Sequence, residues 1–392
     1  MSLTFENVFR ISSLALRFSG IHPNLDRDGR WVLRFAFFNV VSGSIIFFFA
    51  NSIICYDVPY KNYTKAIKNA SLLIVSLTIP YKNSLALYYK KELKNCIDML
   101  NEDYAAIDRY TDEEKLLIKE YSAKAVSVCK LYFYSVLMSA TIFPVKAFYL
   151  MLRSYLRGEF RLAHIYDITY PEALEKQKDV VYVYSCLFLI SLFFTINGSW
   201  IFFGFDPLVS IFVLHVCGQI EILSRQLMCL TDLTNEKDIL DKLKNINKKL
   251  QALYKFSKSL RSNFMEVFEL QIKTTIFLSS FTLFQIVQSL YHFEINVEFA
   301  MMLFACTLHF FIGCYYGDFL MNKGMKLRES IYCCGWEKQP NIKIRKTVLL
   351  MLTRCNNPPS IRSVFYPVNL ETFSEACRQS YAIFNIMNAA WS

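Results

Sequence analysis

Residues 180–205 read VVYVYSCLFLISLFFTINGSWIFFGF and hold no Asp, Glu, Lys or Arg between Asp179 and Asp206. A helix needs about 20 mostly apolar residues to cross a bilayer, because no water inside it can take up unpaired backbone groups. The stretch is therefore read as a membrane span. Three further runs carry no charge: 35–56 between Arg34 and Asp57, 274–293 and 299–317. Two more are interrupted only by lysines able to snorkel, 66–89 by Lys68 and Lys82 and 125–152 by Lys130 and Lys146. The last candidate, 370–392, is the most polar, since Glu371, Glu375 and Arg378 leave only 379–392 uncharged. It reads either as an amphipathic surface tail or as a span shielded from lipid within a bundle.

Composition agrees with an all-α membrane protein. Hydrophobic types make up 54% of the 392 residues and charged types 19%, against about 45–50% and about 25% in soluble domains. Gly and Pro, at 11 and 10, are too few for collagen-like or loop-rich β architectures. A net charge of +10 taken alone suggests nucleic acid. Its placement points elsewhere. With seven spans, 31 of the 43 Lys and Arg fall in 1–34, 82–124, 218–262 and 323–369, and 8 fall in the opposite loops. By the positive-inside rule the first set is cytoplasmic, so the N-terminus is expected inside and the C-terminus outside. The charge then needs no nucleic-acid partner. Glu6 and Arg10 interrupt the N-terminal stretch, which does not read as a signal peptide. Two sequons, Asn62-Tyr-Thr and Asn69-Ala-Ser, fall in or beside the first loop expected outside, while Asn197-Gly-Ser lies within a span.

The expected organisation is a cytoplasmic N-terminus (1–34), spans one to four (35–206), a cytoplasmic helical extension (207–262), spans five and six (263–320), a second cytoplasmic extension with a short helix (321–369) and a seventh span (370–392). Within the first extension, Ile239, Leu243, Ile246, Leu250, Leu253 and Leu260 recur at helical spacing. They form one apolar stripe, with or without a partner. The stretch 342–353, followed by Pro358 and Pro359, is a second helix candidate. Together the two could form an anchor that joins subunits.

Enzyme chemistry is not expected. The twelve cysteines include no C-x-x-C, and the five histidines show no zinc spacing. No phosphate-binding glycine loop or nucleophile elbow occurs. No metal or cofactor is expected, and a transporter's repeats or mid-depth charges are not apparent.

Cys314-Tyr-Tyr-Gly317-Asp-Phe-Leu320, then Tyr332 and Trp336, then Phe373 and Ser380-Tyr381-Ala-Ile-Phe384 resemble the C-terminal signature of insect odorant receptors. His215, Gln219, Leu223 and Leu227 fit the same family's pattern. Ala382 stands where Ser is frequent, and Asn322-Lys323-Gly324 replaces an acidic-Ser pair. Gustatory receptors, the alternative, fit the last helix less well. No N-P-x-x-Y of a metabotropic receptor is present.

What the resemblance implies is the odorant-binding subunit of a ligand-gated, non-selective cation channel in a sensory-neuron plasma membrane. A small volatile molecule would bind in the outer half of spans two to six. Four subunits, including a common co-receptor, would surround a pore lined by the last helix, through which monovalent and divalent cations pass. The loop between spans four and five, about 45 residues long, favours the ligand-specific role over the co-receptor. Pocket candidates are Leu73 and Ser76 on span two, Phe143, Ala147 and Leu150 on span three, Ser185 and Leu189 on span four, and Met302 and Leu303 on span six. Lys146 is read as snorkelling or as a ligand anchor, and Glu294 and Glu298 as a solvated outer loop or a cation-enriching one. For the pore, family alignment points to Tyr381, Phe384, Met387 and Asn388. Helical periodicity instead groups Glu371, Glu375, Arg378, Ala382, Asn385 and Ala389 in one polar stripe.

Overall fold

The computed structural model describes residues 3–230, 235–291, 293 and 296–391, and among them helices account for nearly all regular structure. Two short helices, α1 (Phe5–Val8) and α2 (Arg10–Phe18), precede α3 (Gly29–Asn51), which runs on through a π-helical turn, Ser52–Asp57. Then come α4 (Tyr63–Tyr88), α5 (Lys90–Ala105), α6 (Asp112–Leu156), α7 (Glu172–Glu175), α8 (Val181–Met228), α9 (Glu236–Tyr291), α10 (Val297–Tyr332), α11 (Ile342–Arg354) and α12 (Leu370–Trp391).

Helix starts follow local chemistry. Asp28 Oδ1 accepts the Trp31 N–H at 2.8 Å and opens α3. Thr111 and Glu114 form a reciprocal capping box at α6, which satisfies amide groups that have no partner inside the helix. A D-R-Y tripeptide, Asp108-Arg109-Tyr110, lies at the 3₁₀ turn Ile107–Arg109 before α6 and so is not a helix-end motif.

Six helices, α3, α4, α6, α8, α9 and α10, are long and apolar enough to cross a membrane. The 22-residue α12 is not among them, in keeping with its polar first turns. The charge-free run of span four stops at Asp206, and the uncharged residues 207–220 continue it. Asp206 sits inside α8, which continues through Pro207 to Met228. Likewise α9 is one helix of 56 residues that joins the charged extension to span five.

The apolar stripe of α9 has a partner. Ile239, Leu243, Ile246, Leu250, Leu253 and Leu260 are all buried in a core shared with α5, α8, α10 and α11. Each contributes about 1.5–3 kcal/mol relative to leaving it in water. Close backbone approaches set the edges of this core. A Cβ on Gly204 of α8 would lie 2.9 Å from the Leu16 nitrogen, so α2 presses directly on α8. On Gly317 of α10 it would lie 2.0 Å from the Val368 carbonyl oxygen, which holds the segment leading into α12 against the bundle. A second core, around Phe38, Ile45 and Phe49 of α3, Leu72 and Ile79 of α4, Phe194 of α8 and Met302 of α10, fills the other end.

Candidate ligand cavity and the exposed face of the last helix

Between α4, α6, α8, α9 and α10 lies a cavity of about 190 Å³. Its walls include Leu72, Val75 and Ile79, then Val136, Ala140 and Phe143, then Phe194 and Phe202, with Leu278, Met302 and Cys306 opposite. Tyr166, from the loop after α6, enters from one end. Its ring packs against Phe49 and Phe143, with centroids 5.4 and 5.8 Å away. Its hydroxyl lies 2.7 Å from Thr195 Oγ1, which itself donates to the Ser191 carbonyl at 2.8 Å. Tyr166 is thus the donor in that pair, and its lone pairs remain able to accept.

Most hydroxyls around the cavity are already engaged. Thr78, Ser199 and Thr274 donate to carbonyls of their own helices at 2.7, 2.7 and 2.9 Å, and Ser139 of α6 donates to the Met301 carbonyl of α10 at 3.3 Å. Such satisfied groups leave mainly hydrocarbon for a guest to touch.

One end of the cavity carries charge. Lys82 Nζ lies 2.7 and 2.9 Å from the two oxygens of Asp206 and 4.2 Å from the centroid of the Phe202 ring. His309 Nδ1 is 3.7 Å from Asp206, and its Nε2 meets Ser135 Oγ at 2.8 Å. The Lys82, Asp206, His309 and Ser135 side chains are buried. The arrangement ties α4, α6, α8 and α10 together around paired rather than isolated charges, as a low-dielectric interior demands. Lys82 does not snorkel, and charges do occur inside the bundle.

The loop after α6 is held over the opposite end. Asp167 faces Lys68 and Lys65 at 3.2 and 3.5 Å, and Lys65 also donates to Thr169 at 2.8 Å. Burial pushes the Asp167 carboxyl up, but the two lysines outweigh it and hold the group below its ordinary pKa.

Of the pocket residues expected from sequence, Phe143 and Met302 line the cavity. Ser76 and Ala147 are buried outside its lining, and Leu73 packs beside it in the second core. Leu303 is half-buried, also outside the lining. Leu150, Ser185 and Leu189 are exposed on the outer surface, because their positions on α6 and α8 point away from the bundle axis. Lys146 pairs with Glu298, which is buried in the first turn of α10 rather than solvated in a loop. Glu294 lies outside the described residues.

Asn62 is exposed and caps α4, its Oδ1 accepting the Lys65 N–H at 3.2 Å. Asn69 is fully buried and donates to Ser52 at 3.1 Å and Asp57 at 2.8 Å. Its amide is therefore engaged inside the bundle, unlike that of Asn62.

On α12 the two sequence readings separate. Phe384 and Met387 are 9% and 5% exposed, packed within the chain against Ile67 of α4 and Phe284 of α9. They do not face outward, contrary to the alignment-based choice. Asn388 is half-buried, and Tyr381 is exposed. The stripe of Glu371, Glu375, Arg378, Ala382, Asn385 and Ala389 is exposed throughout. Ser280 Oγ donates to the Ser380 carbonyl at 2.9 Å, and Trp391 stacks on Tyr63 with centroids 5.5 Å apart, so the middle and the C-terminal end of the helix are fastened.

A family model described as 7tm Odorant receptor matches residues 62–381. Among curated proteins, Odorant receptor 2a of Drosophila melanogaster is 32% identical over 84 residues, 21% of this chain and 21% of that protein. Odorant receptor 67c of the same organism is 27% identical over 113 residues, 29% of this chain and 27% of the relative. The matched part is thus under a third of either relative. The insect olfactory receptor OR5 from Machilis hrabei, solved in complex with eugenol, superposes with a TM-score of 0.79 at 14% identity over 98% of both chains. Its structure described without eugenol gives 0.74 over 97% of both.

Proposed function

The chain belongs to the 7tm odorant receptor family, a multi-pass membrane fold and not an enzyme, and on that footing we propose that it is the odorant-binding subunit of a ligand-gated, non-selective cation channel. The observation that carries the reading is the mainly apolar cavity of about 190 Å³ between the helices. Apolar cavities of about 150 Å³ already hold a benzene-sized guest. A compact, mostly apolar volatile with one polar group suits the walls; the Machilis receptor was solved in complex with eugenol. Tyr166, whose hydroxyl can accept, is the group that orients a donor.

Orientation follows the charge distribution, with the α2, α11 and α9 N-terminal end in the cytoplasm and the C-terminus outside. The plasma membrane is the site of action. Four subunits, at least one of them a co-receptor, place their α12 helices around the pore. In this arrangement the exposed stripe from Glu371 to Ala389 faces the ions, and Phe384 and Met387 back it from within the subunit.

A transporter reading draws on the buried charges. Lys82 and Asp206 neutralise each other at contact distance, however, which leaves no charge for a coupled ion to balance. Patch recording decides. With a co-receptor and a volatile panel, the expected result is a cation current that opens in excised patches without nucleotide. A current that requires nucleotide, or tracer uptake without current, overturns the reading.

A further inference from the structure

A second cavity, of about 200 Å³, lies outside the ligand site at the junction of α2, α3 and α8. Its two ends differ in chemistry. One is polar, formed by Ser19, Gly20 and the exposed guanidinium of Arg34. The other is aromatic and aliphatic, formed by Phe35, Phe38, Phe193 and Ile201. The boundary between them coincides with the last charge before the uncharged run of α3, so the cavity straddles the level where headgroups give way to hydrocarbon.

We propose that this cavity holds an anionic phospholipid of the cytoplasmic leaflet, its phosphate at Arg34 and one acyl chain between α3 and α8.

Three observations carry it. Arg34 donates to the Phe18 carbonyl at 3.2 Å, which uses one of the five guanidinium N–H groups and fixes the fork at the polar end. Arg30 lies one helical turn before it on α3 and the Arg27 guanidinium stands 5.2 Å over the Trp31 ring, which with Asp26 and Asp28 leaves this rim one positive charge in excess. The Trp31 indole donates to the Gly20 carbonyl at 2.8 Å, which keeps the α2–α3 turn open as a rigid rim. Beyond the rim, α3 presents Leu33, Phe37 and Val40, each more than half exposed, so the cavity opens sideways onto a face suited to lipid. Asn197, the polar side chain at depth, is engaged with its own Phe193 carbonyl at 2.9 Å. The cavity holds the phosphate end and the first methylenes, and the rest of the acyl chain lies along the exposed apolar face of α3. A water-soluble ligand would leave the apolar slot open to the membrane unfilled; a lipid satisfies both ends.

The placement in the cytoplasmic leaflet rests on the orientation proposed above, but the test does not use current and so fails separately. The full chain, assembled with a co-receptor in phosphatidylcholine nanodiscs, is irradiated with a phosphatidylserine probe bearing a diazirine on its acyl chain. Peptides are then mapped. Residues 31–38 and 193–201 are expected to label above the exposed stretch 145–152, and unlabelled phosphatidylserine to compete better than phosphatidylcholine. Arg34→Gln, on the surface and tolerated by the fold, is expected to lower that labelling about fivefold, the equivalent of about 1 kcal/mol per basic group. Labelling equal to the control stretch, equal competition by both lipids, or no effect of Arg34→Gln overturns the proposal.

Discussion

Lys82 of α4 and Asp206 of α8 meet inside the bundle, Nζ 2.7 Å from Oδ1 and 2.9 Å from Oδ2, with both side chains less than a tenth exposed. Removing one partner strands the other. Lys82→Met is expected to cost about 3–5 kcal/mol, and Lys82→Met combined with Asp206→Leu to recover most of it, because two apolar groups leave no buried charge behind. Melting of the detergent-solubilised receptor reads this directly. A single variant as stable as the parent shows that water, not Lys82, solvates Asp206.

The pair also marks the limit of what the sequence could say. Runs with no charge, or interrupted only by lysines, located the six long apolar helices, since lipid imposes a simple rule on composition. The uncharged residues 207–220 beyond Asp206 also signalled that α8 carries on. What the rule could not show is that Lys82 and Asp206 pair, because partners on different helices leave no mark in either run. Pocket residues were harder still. Which side of α6 or α8 faces inward depends on packing against several helices, so of three residues that read alike Phe143 lines the cavity while Leu150 and Leu189 lie on the outer surface. Asn69 looked like a surface sequon because burial and pairing with Asp57 leave no trace in three residues.

Gly317 has no room for a methyl group. The Val368 carbonyl oxygen would sit 2.0 Å from an added Cβ, and backbone cannot yield as a side-chain tip can. Gly317→Ala is expected to push the segment before α12 off α10 and to destabilise by at least ~2 kcal/mol, in the range of overpacking and strain. Size-exclusion profiles and surface delivery should both fall. A normal profile with a normal melting temperature contradicts the close approach.

Glycan mapping tests both topology and burial. If the α3–α4 connection is outside the cell, Asn62→Gln removes any enzymatically cleavable sugar from this loop. Asn69→Gln leaves the glycan unchanged yet lowers stability by about 1–3 kcal/mol, because its amide hydrogen bonds are lost in a buried place. A glycan lost with Asn69→Gln alone shows that the helix start is open.

The exposed face of α12 gives an ion-permeation test. Asn385→Asp, on that face, is expected to raise the relative permeability of divalent cations, since a ring of carboxylates favours them. Phe384→Ala is expected to act differently, loosening the contact with Phe284 and Ile67 and costing about 3–5 kcal/mol. Reversal potentials in mixed-cation solutions separate the two. Selectivity that shifts with Phe384→Ala but not with Asn385→Asp puts the other face of the helix toward the pore.

The most direct measurement fills the cavity. With a volatile that activates the receptor beside its co-receptor, Ala140→Phe places a ring in the space between α6 and the helices opposite. Surface biotinylation establishes that the variant reaches the membrane. The expected result is a concentration–response curve displaced by at least ~10-fold, the equivalent of about 1.4 kcal/mol of lost ligand contact, with single-channel conductance unchanged. An unaltered curve from a variant present at the surface contradicts the assignment of this cavity as the ligand site.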